Sequence, residues 1–277
     1  MKLLIFGGEG MAGHVIVSYF QELSNVSLYY TTRTIDDRHS IYFHLPDSVK
    51  AEEIIEMIRP DIVINCIEIA GEEAEKNPLL ALQINSLFPY QLAKLTERQG
   101  GRLIHLSTDC VFSGARGVYS ETDDPDSHSV YATSKHLGEV TRGPHLTIRA
   151  SVIGPELRAG SARLFSRFME CTDEISGAEY CMWNGVTTLE LAKAIKAFID
   201  NKVTGLYHLS SPHQISEKNL LELMQRVFLK NEITIIPEFE KHFERFIKNS
   251  RTDADYQAHP YDLMLMELKQ WMNVHTI

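Results

Sequence analysis

Short apolar runs alternate with stretches of helical spacing through the first half of this chain, and that rhythm predicts strands and helices in turn. Lys2 to Phe6, Val26 to Tyr30 and Ile41 to Phe43 read as strands, with helices over Met11 to Leu23 and Asp47 to Ile58 between and after them. Ile62 to Cys66 is almost continuously apolar, the pattern of a central parallel strand covered on both faces. A polar start at Glu72 to Asn77 leads into a long helix, Pro78 to Arg98, interrupted by Pro89. Strands at Arg102 to Leu106 and His145 to Arg149 flank a helix over Ser127 to Arg142. The remainder is less regular: helices at Ala162 to Glu170, Thr187 to Asp200, Ser216 to Leu229 and Pro260 to Trp271, and strands at Gly205 to Leu209 and Ile233 to Ile236. Strand-helix alternation of this kind predicts an α/β fold, a Rossmann-type doubly wound parallel sheet with a smaller C-terminal lobe. Residues 1–155 are expected to form the first unit, with segments around 180–210 returning to it and 156–277 forming most of the lobe.

Composition narrows the class. The chain has 277 residues, 44% hydrophobic and 23% charged, ordinary for a globular protein with a sizeable core. A formal net charge of −10 argues against a nucleic-acid partner. No apolar run reaches the length of a membrane span, and Leu3 to Phe6 is too short for a signal-peptide core, so a cytoplasmic location without a membrane partner is expected. Cys66, Cys110, Cys171 and Cys181 lack paired zinc spacing and read as reduced thiols; the twelve histidines form no H-x-x-x-H cluster, so no metal is expected.

The chemistry begins at Gly7-Gly8-Glu9-Gly10-Met11-Ala12-Gly13, between the first strand and the first helix. Glycines at 7, 10 and 13 permit a tight turn, close approach of backbone amides to a pyrophosphate, and packing of helix on strand. The second strand runs into Arg33, where an arginine pairs with a 2′-phosphate and an acidic residue would hold a ribose diol, so NADP is preferred, with NADH as the alternative. Asp36 and Asp37 lie just downstream and keep the diol reading open. Asn65 and Cys66 start the loop expected over the cofactor. Thr108 follows a strand end, and Tyr131 and Lys135 stand at i and i+4 on one helical face. An ammonium beside a phenol lowers the phenol's pKa, which makes Tyr131 a usable proton donor to a carbonyl oxygen, with Thr108 as a second hydrogen-bonding group.

The ordered set of Gly7-x-x-Gly10-x-x-Gly13, Asn85, Ser107-Thr108-Asp109-Cys110-Val111-Phe112-Ser113-Gly114, Tyr119-x-Glu121, Tyr131-x-x-x-Lys135 and Arg149-Ala150-Ser151 resembles the extended short-chain dehydrogenase/reductase superfamily. Within it the match is to the dTDP-4-dehydrorhamnose reductase family, over roughly the first 155 residues and weakly through Gly185 to Thr188 and Gly205 to His208. The resemblance implies NAD(P)H-dependent reduction of a nucleotide-linked 4-dehydro-6-deoxy sugar, feeding polysaccharide or glycan synthesis. Tyr131 would give the proton, Lys135 would tune Tyr131 and hold the nicotinamide ribose, and Thr108 would orient the C4 oxygen. Asp109, Cys110, Ser151, Arg158, Arg163 and Thr187 stand where a sugar or its diphosphate could be met, arginine suiting the diphosphate. Trp183 reads as core.

Three positions depart from the family pattern: Cys110 replaces a usual tyrosine, Glu68 a usual small residue, and His44 an aspartate near adenine. Cys110 suggests a second reading, a bifunctional epimerase-reductase in which the thiol exchanges a proton alpha to the ketone. A third is a non-catalytic nucleotide-binding subunit similar to the regulatory beta subunit of methionine adenosyltransferase. Homodimerisation stays open.

Overall fold

The computed structural model describes residues 1–34, 40–158 and 160–275; Asp36 and Asp37 lie outside the described residues. The chain begins β1 (Lys2–Phe6), α1 (Met11–Gln21), β2 (Ser27–Thr32), β3 (Ile41–Tyr42), α2 (Ser48–Ile58) and β4 (Ile62–Asn65). It continues through α3 (Gly71–Lys76), α4 (Pro78–Ala81), a π-helical segment (Leu82–Leu87), α5 (Phe88–Arg98), β5 (Arg102–Ser107) and β6 (Gly117–Tyr119). Next come α6 (Val130–Leu137), β7 (Leu146–Arg149), β8 (Val152–Ile153), α7 (Leu164–Glu170), β9 (Glu174–Trp183) and β10 (Val186–Thr187). The last elements are α8 (Thr188–Asp200), β11 (Gly205–His208), β12 (Ile215–Ser216), α9 (Glu217–Phe228), β13 (Thr234–Ile247) and α10 (Tyr261–His275).

Seven strands form one sheet in the order β11-β7-β5-β4-β1-β2-β3, with every pairing parallel. The order runs outward from β1 in one direction, then crosses back to β4 and runs the other way, so the crevice at the carboxyl ends of β1 and β4 is the switch point where ligands bind in such sheets. Alternation along β1 shows how both faces are filled. Leu3 and Ile5 join Ile16 and Phe20 of α1 and Ala192 and Ile195 of α8, whereas Leu4 and Phe6 join Ile54 and Ile55 of α2 and Phe88 and Leu92 of α5. The doubly wound expectation therefore holds, and β11 adds a late strand to the main sheet.

The expected single helix from Pro78 to Arg98 is instead three segments. The change is the π-helical Leu82–Leu87, from which α5 continues directly with Pro89 in its first turn. The second sheet, β12-β9-β13-β6, departs most from expectation. The Ile233 to Ile236 strand proves to be the start of the fourteen-residue β13, paired in parallel with both β9 and β6. Beneath it Phe168, Ile175, Leu220, Met224 and Leu268 form a separate buried cluster. All four cysteines are free, and among the described residues no helix is long and apolar enough to cross a membrane.

Candidate active site

A crevice of about 650 Å³ opens at the carboxyl ends of the strands, and Gly7, Gly10, Thr108, Tyr131, Lys135 and Arg163 all line it. Its floor is the glycine turn. Gly7 has φ +87°, and its N–H donates to Thr31 Oγ1 at 3.0 Å. A Cβ on Gly13 would stand 1.9 Å from the Gly7 carbonyl oxygen, so only glycine lets α1 begin this close to β1. Gly13 thus shapes the turn from behind, while Gly10 and Met11 face the crevice. Arg33 lines the far end with an exposed side chain. Glu9, which the sequence reading passed over, accepts from the Arg33 backbone N–H at 3.1 Å and from Thr34 Oγ1. Burial pushes the Glu9 carboxyl up, but those hydrogen bonds and one from Thr32 prevail and hold it below its ordinary value.

Asn65 is not in the crevice. It is fully buried, donating to His105 Nδ1 at 3.2 Å and accepting from the Ile67 N–H at 3.1 Å, so it shapes the loop that carries Cys66 and Glu68. Cys66 does face the crevice, with its thiol pushed up to about 12 by burial, so it presents neutral sulfur.

The opposite wall is built from β5 and α6. Thr108 follows β5 directly and caps the next turn, its Oγ1 accepting from the Cys110 N–H at 3.1 Å. Helix α6 starts at Val130, where Ser129 Oγ accepts from the Ala132 N–H at 3.1 Å, and is shorter than the Ser127 to Arg142 pattern suggested. It stops at Gly138, where a Cβ would stand 1.9 Å from the Asn85 carbonyl oxygen, so the helix packs directly on the π-helical segment. Asn85 itself links three pieces: it exchanges hydrogen bonds with the Ile69 backbone at 2.8 and 2.9 Å and donates to Ser134 Oγ at 3.0 Å. The Glu68 loop is thereby fixed against the Tyr131 helix.

Lys135 is buried, donating through Nζ to the Leu106 carbonyl at 2.6 Å and standing 3.5 Å from Glu68 Oε2. Tyr131 Oη donates to the same carboxylate oxygen at 2.9 Å. The expected lowering of the Tyr131 pKa is reversed: burial, then the Glu68 charge, push it well above 10, while the Thr108 hydroxyl acts the other way. The physical reason is first that burial strips the phenolate of water, and second that a carboxylate, absent from the simple phenol-ammonium picture, accepts the phenol's proton and faces the ammonium.

The expected substrate-side residues divide. Asp109 and Cys110 line the crevice, and Arg245, from β13, reaches both, with Nη1 2.8 Å from Cys110 Sγ and 3.8 Å from Asp109 Oδ2. Burial and then Asp109 raise the Cys110 thiol to about 11 despite that guanidinium, which leaves it protonated and a weak base near neutral pH. Ser151 lines the crevice and accepts from Trp183 Nε1 at 2.7 Å; Trp183 is half-buried rather than core. Arg163 stands 3.7 Å from Glu68 Oε1 and 3.6 Å from Glu156 Oε1. Arg158 is exposed and outside the crevice lining. Thr187 is a buried helix cap, its Oγ1 accepting from the Glu190 N–H at 3.2 Å, and lies outside that lining too.

Under Thr108 lies a buried pair that sequence reasoning also missed. Arg149 donates to both oxygens of Glu139 at 2.7 and 2.8 Å, and Ser107 Oγ donates to Glu139 at 2.8 Å. Arg149 stands in the sequence as the first residue of the Arg149-Ala150-Ser151 motif, but Glu139 carries no signal beyond a charge in a helical segment, and nothing pairs them until the fold is known.

Comparison with known proteins places the chain. Residues 1–249 match the family model for the RmlD substrate binding domain. A dTDP-4-dehydrorhamnose reductase of Mycobacterium tuberculosis is 34% identical over 144 residues, covering 50% of this chain and 44% of that protein. The chain thus matches less than half the length of that relative. A dTDP-4-dehydrorhamnose reductase of Salmonella typhimurium is 27% identical over 226 residues, covering 76% of this chain and 72% of that protein. Among solved structures, dTDP-4-dehydrorhamnose reductase from Bacillus anthracis in complex with NADP superposes with a TM-score of 0.82 at 20% identity, covering 98% of this chain and 99% of that one. At that identity the structural likeness is one of fold.

Proposed function

This chain belongs to the RmlD substrate binding domain family, and on that premise we propose that it is an NAD(P)H-dependent reductase of a nucleotide-linked 4-dehydro-6-deoxy sugar. One observation carries the reading: Thr108, Tyr131 and Lys135 line the same crevice as the glycine turn of Gly7 and Gly10. The residues present suit a dinucleotide. Gly7 and Gly13 leave backbone where any Cβ would collide, and the α1 N-terminus opens directly onto the turn. In this reading the turn holds the pyrophosphate, Arg33 selects the 2′-phosphate, and Lys135 meets the nicotinamide ribose. When bound, the cofactor supplies the hydride.

The chain's own residues handle the proton. Burial keeps Tyr131 a phenol through the neutral range, so it holds the proton that a C4 oxygen must receive. Thr108, fixed by its capping role, offers a second hydrogen bond to that oxygen, and Lys135, anchored on the Leu106 carbonyl, keeps a positive charge beside it. Asp109 and Ser151 face the sugar side, and Arg163 is the cation in reach of the diphosphate. Residues 1–155, with the segments returning around 180–210, serve the cofactor, and the rest of 156–277 serves the substrate.

The direct test is to incubate the purified protein with NADPH and a dTDP-4-dehydro-6-deoxy sugar and follow nicotinamide absorbance and product. Stoichiometric NADPH oxidation with formation of the C4 alcohol is expected. Absence of turnover with NADPH and NADH alike, across dTDP-, GDP- and UDP-linked ketosugars, would refute the reading.

A further inference from the structure

The carboxylate of Glu68 occupies the centre of the catalytic group. Its Oε2 accepts from Tyr131 Oη at 2.9 Å and faces Lys135 Nζ at 3.5 Å, while Oε1 faces Arg163 Nη2 at 3.7 Å. A phenol has one proton to donate. In this arrangement that proton is committed to Glu68, and a ketone oxygen placed in the crevice would meet the lone pairs of Tyr131 instead. Lys135 is similarly engaged, since one of its protons is already held by the Leu106 carbonyl and its charge is turned to Glu68.

We propose that Glu68 is a positioning residue for the reduction: it competes with the cofactor ribose and the ketone for the Tyr131 and Lys135 donors, and must leave them before the proton can be delivered. The inference rests on the reductase reading. The loop allows such a departure at the side chain alone. Its backbone is pinned on both sides, by Asn65 at Ile67 and by Asn85 at Ile69, whereas the Glu68 side chain is 28% exposed in the crevice. Arg163 offers the displaced carboxylate a second cation on the other side, so it leaves one charge for another rather than moving unpaired into the cavity. Binding to a protein whose competent arrangement is only partly populated is weakened by that fraction. Glu68 therefore lowers cofactor affinity and couples its arrival to release of the phenol.

The groups around Tyr131 are few enough to make a test specific. They are Glu68 on the loop after β4, Thr108 just after β5, whose hydroxyl bonds the phenol, Cys110 beyond it with Arg245 behind, Lys135 one turn along α6, and Glu75 of α3, which accepts the Tyr131 backbone N–H at 3.2 Å. The experiment compares wild type with Glu68→Gln and Glu68→Ala by calorimetric titration with NADPH, and by the ring-carbon resonance of isotope-labelled Tyr131, assigned through Tyr131→Phe. A charged hydrogen bond exchanged for none corresponds to about tenfold to a hundredfold tighter NADPH binding in Glu68→Ala. Glu68→Gln should lie between that and wild type. The Tyr131 resonance should move in both variants before any ligand is added. Unchanged or weaker NADPH binding in Glu68→Ala overturns the inference, and so does an unmoved Tyr131 resonance. If wild type and both variants bind no NADPH, the reductase reading fails separately, and the ligand-free resonance still decides whether Glu68 holds the phenol.

Discussion

Replacing Glu139 with glutamine should unbalance the support beneath the catalytic strand end. Both Glu139 and Arg149 are buried, with side chains 4% and 2% exposed, and they meet through two hydrogen bonds of 2.7 and 2.8 Å. Burial alone would push the Glu139 carboxyl up. The Arg149 guanidinium, His136 and Ser107 prevail, and its pKa falls to about 2 from an ordinary 4.5. At about 1.36 kcal/mol per pKa unit, that gap corresponds to about 3 kcal/mol of preference for the charged form. Removing one partner of a buried pair costs about 3–5 kcal/mol, because the other charge is left uncompensated. Glu139→Gln keeps the shape and can still accept from Ser107, so it isolates the charge on Arg149. The assay is urea unfolding near neutral pH, where the midpoint should fall with little change in slope. The wild type adds a second reading with a definite sign. A depressed carboxyl pKa contributes stability that is complete above about 4.5 and is lost as pH falls towards about 2. Glu139→Gln should therefore lose less stability than wild type across that window. A destabilisation below about 1 kcal/mol, or identical acid profiles, would refute the reasoning.

Other expectations follow from the same geometry. Arg33→Ala should raise the KM for NADPH by about tenfold and leave that for NADH nearly unchanged, since one charge-assisted contact is at stake; steady-state kinetics with both cofactors checks it. Cys110→Ser should preserve reduction, and product formed in deuterated water should carry no solvent deuterium on carbon, because a thiol raised to about 11 offers almost no thiolate near neutral pH to take the proton; mass spectrometry of the sugar decides, and solvent label beside C4 that disappears in the variant would restore the epimerase reading.

Much of the main sheet was legible because its signals are local. The near-continuous apolar run Ile62 to Cys66 has the pattern of a strand covered on both faces, and Gly7 and Gly13 mark a turn where any Cβ would collide. Tyr131 and Lys135 were legible as a helical pair because i and i+4 spacing is independent of the rest of the fold. What stayed hidden depends on contacts between distant residues. Beyond Ile236, β13 mixes exposed Phe239 and Phe243 with Glu240, Lys241 and Glu244 in no alternating pattern, and its partner β9 is some sixty residues away, so only its first residues read as strand. Arg245 reaches Cys110 across 135 residues, and no pattern near either announces the other. Thr187 illustrates the opposite error: a hydroxyl after an exit strand suggests a ligand, but the same residue type is the preferred helix cap, and the cap prevails. Glu68 was visible as a departure from the family pattern, but its effect on Tyr131 required coordinates, since the carboxylate comes from a loop 63 residues earlier.

The claim on which the rest depends is that the Tyr131 phenol delivers the proton to the substrate oxygen. The most direct measurement is single-turnover reduction by Tyr131→Phe at saturating NADPH, alongside its affinity for the cofactor. The account predicts a rate lower by about a hundredfold to ten-thousandfold with NADPH affinity within a few-fold of wild type. A variant that reduces the ketosugar at the wild-type rate would contradict it.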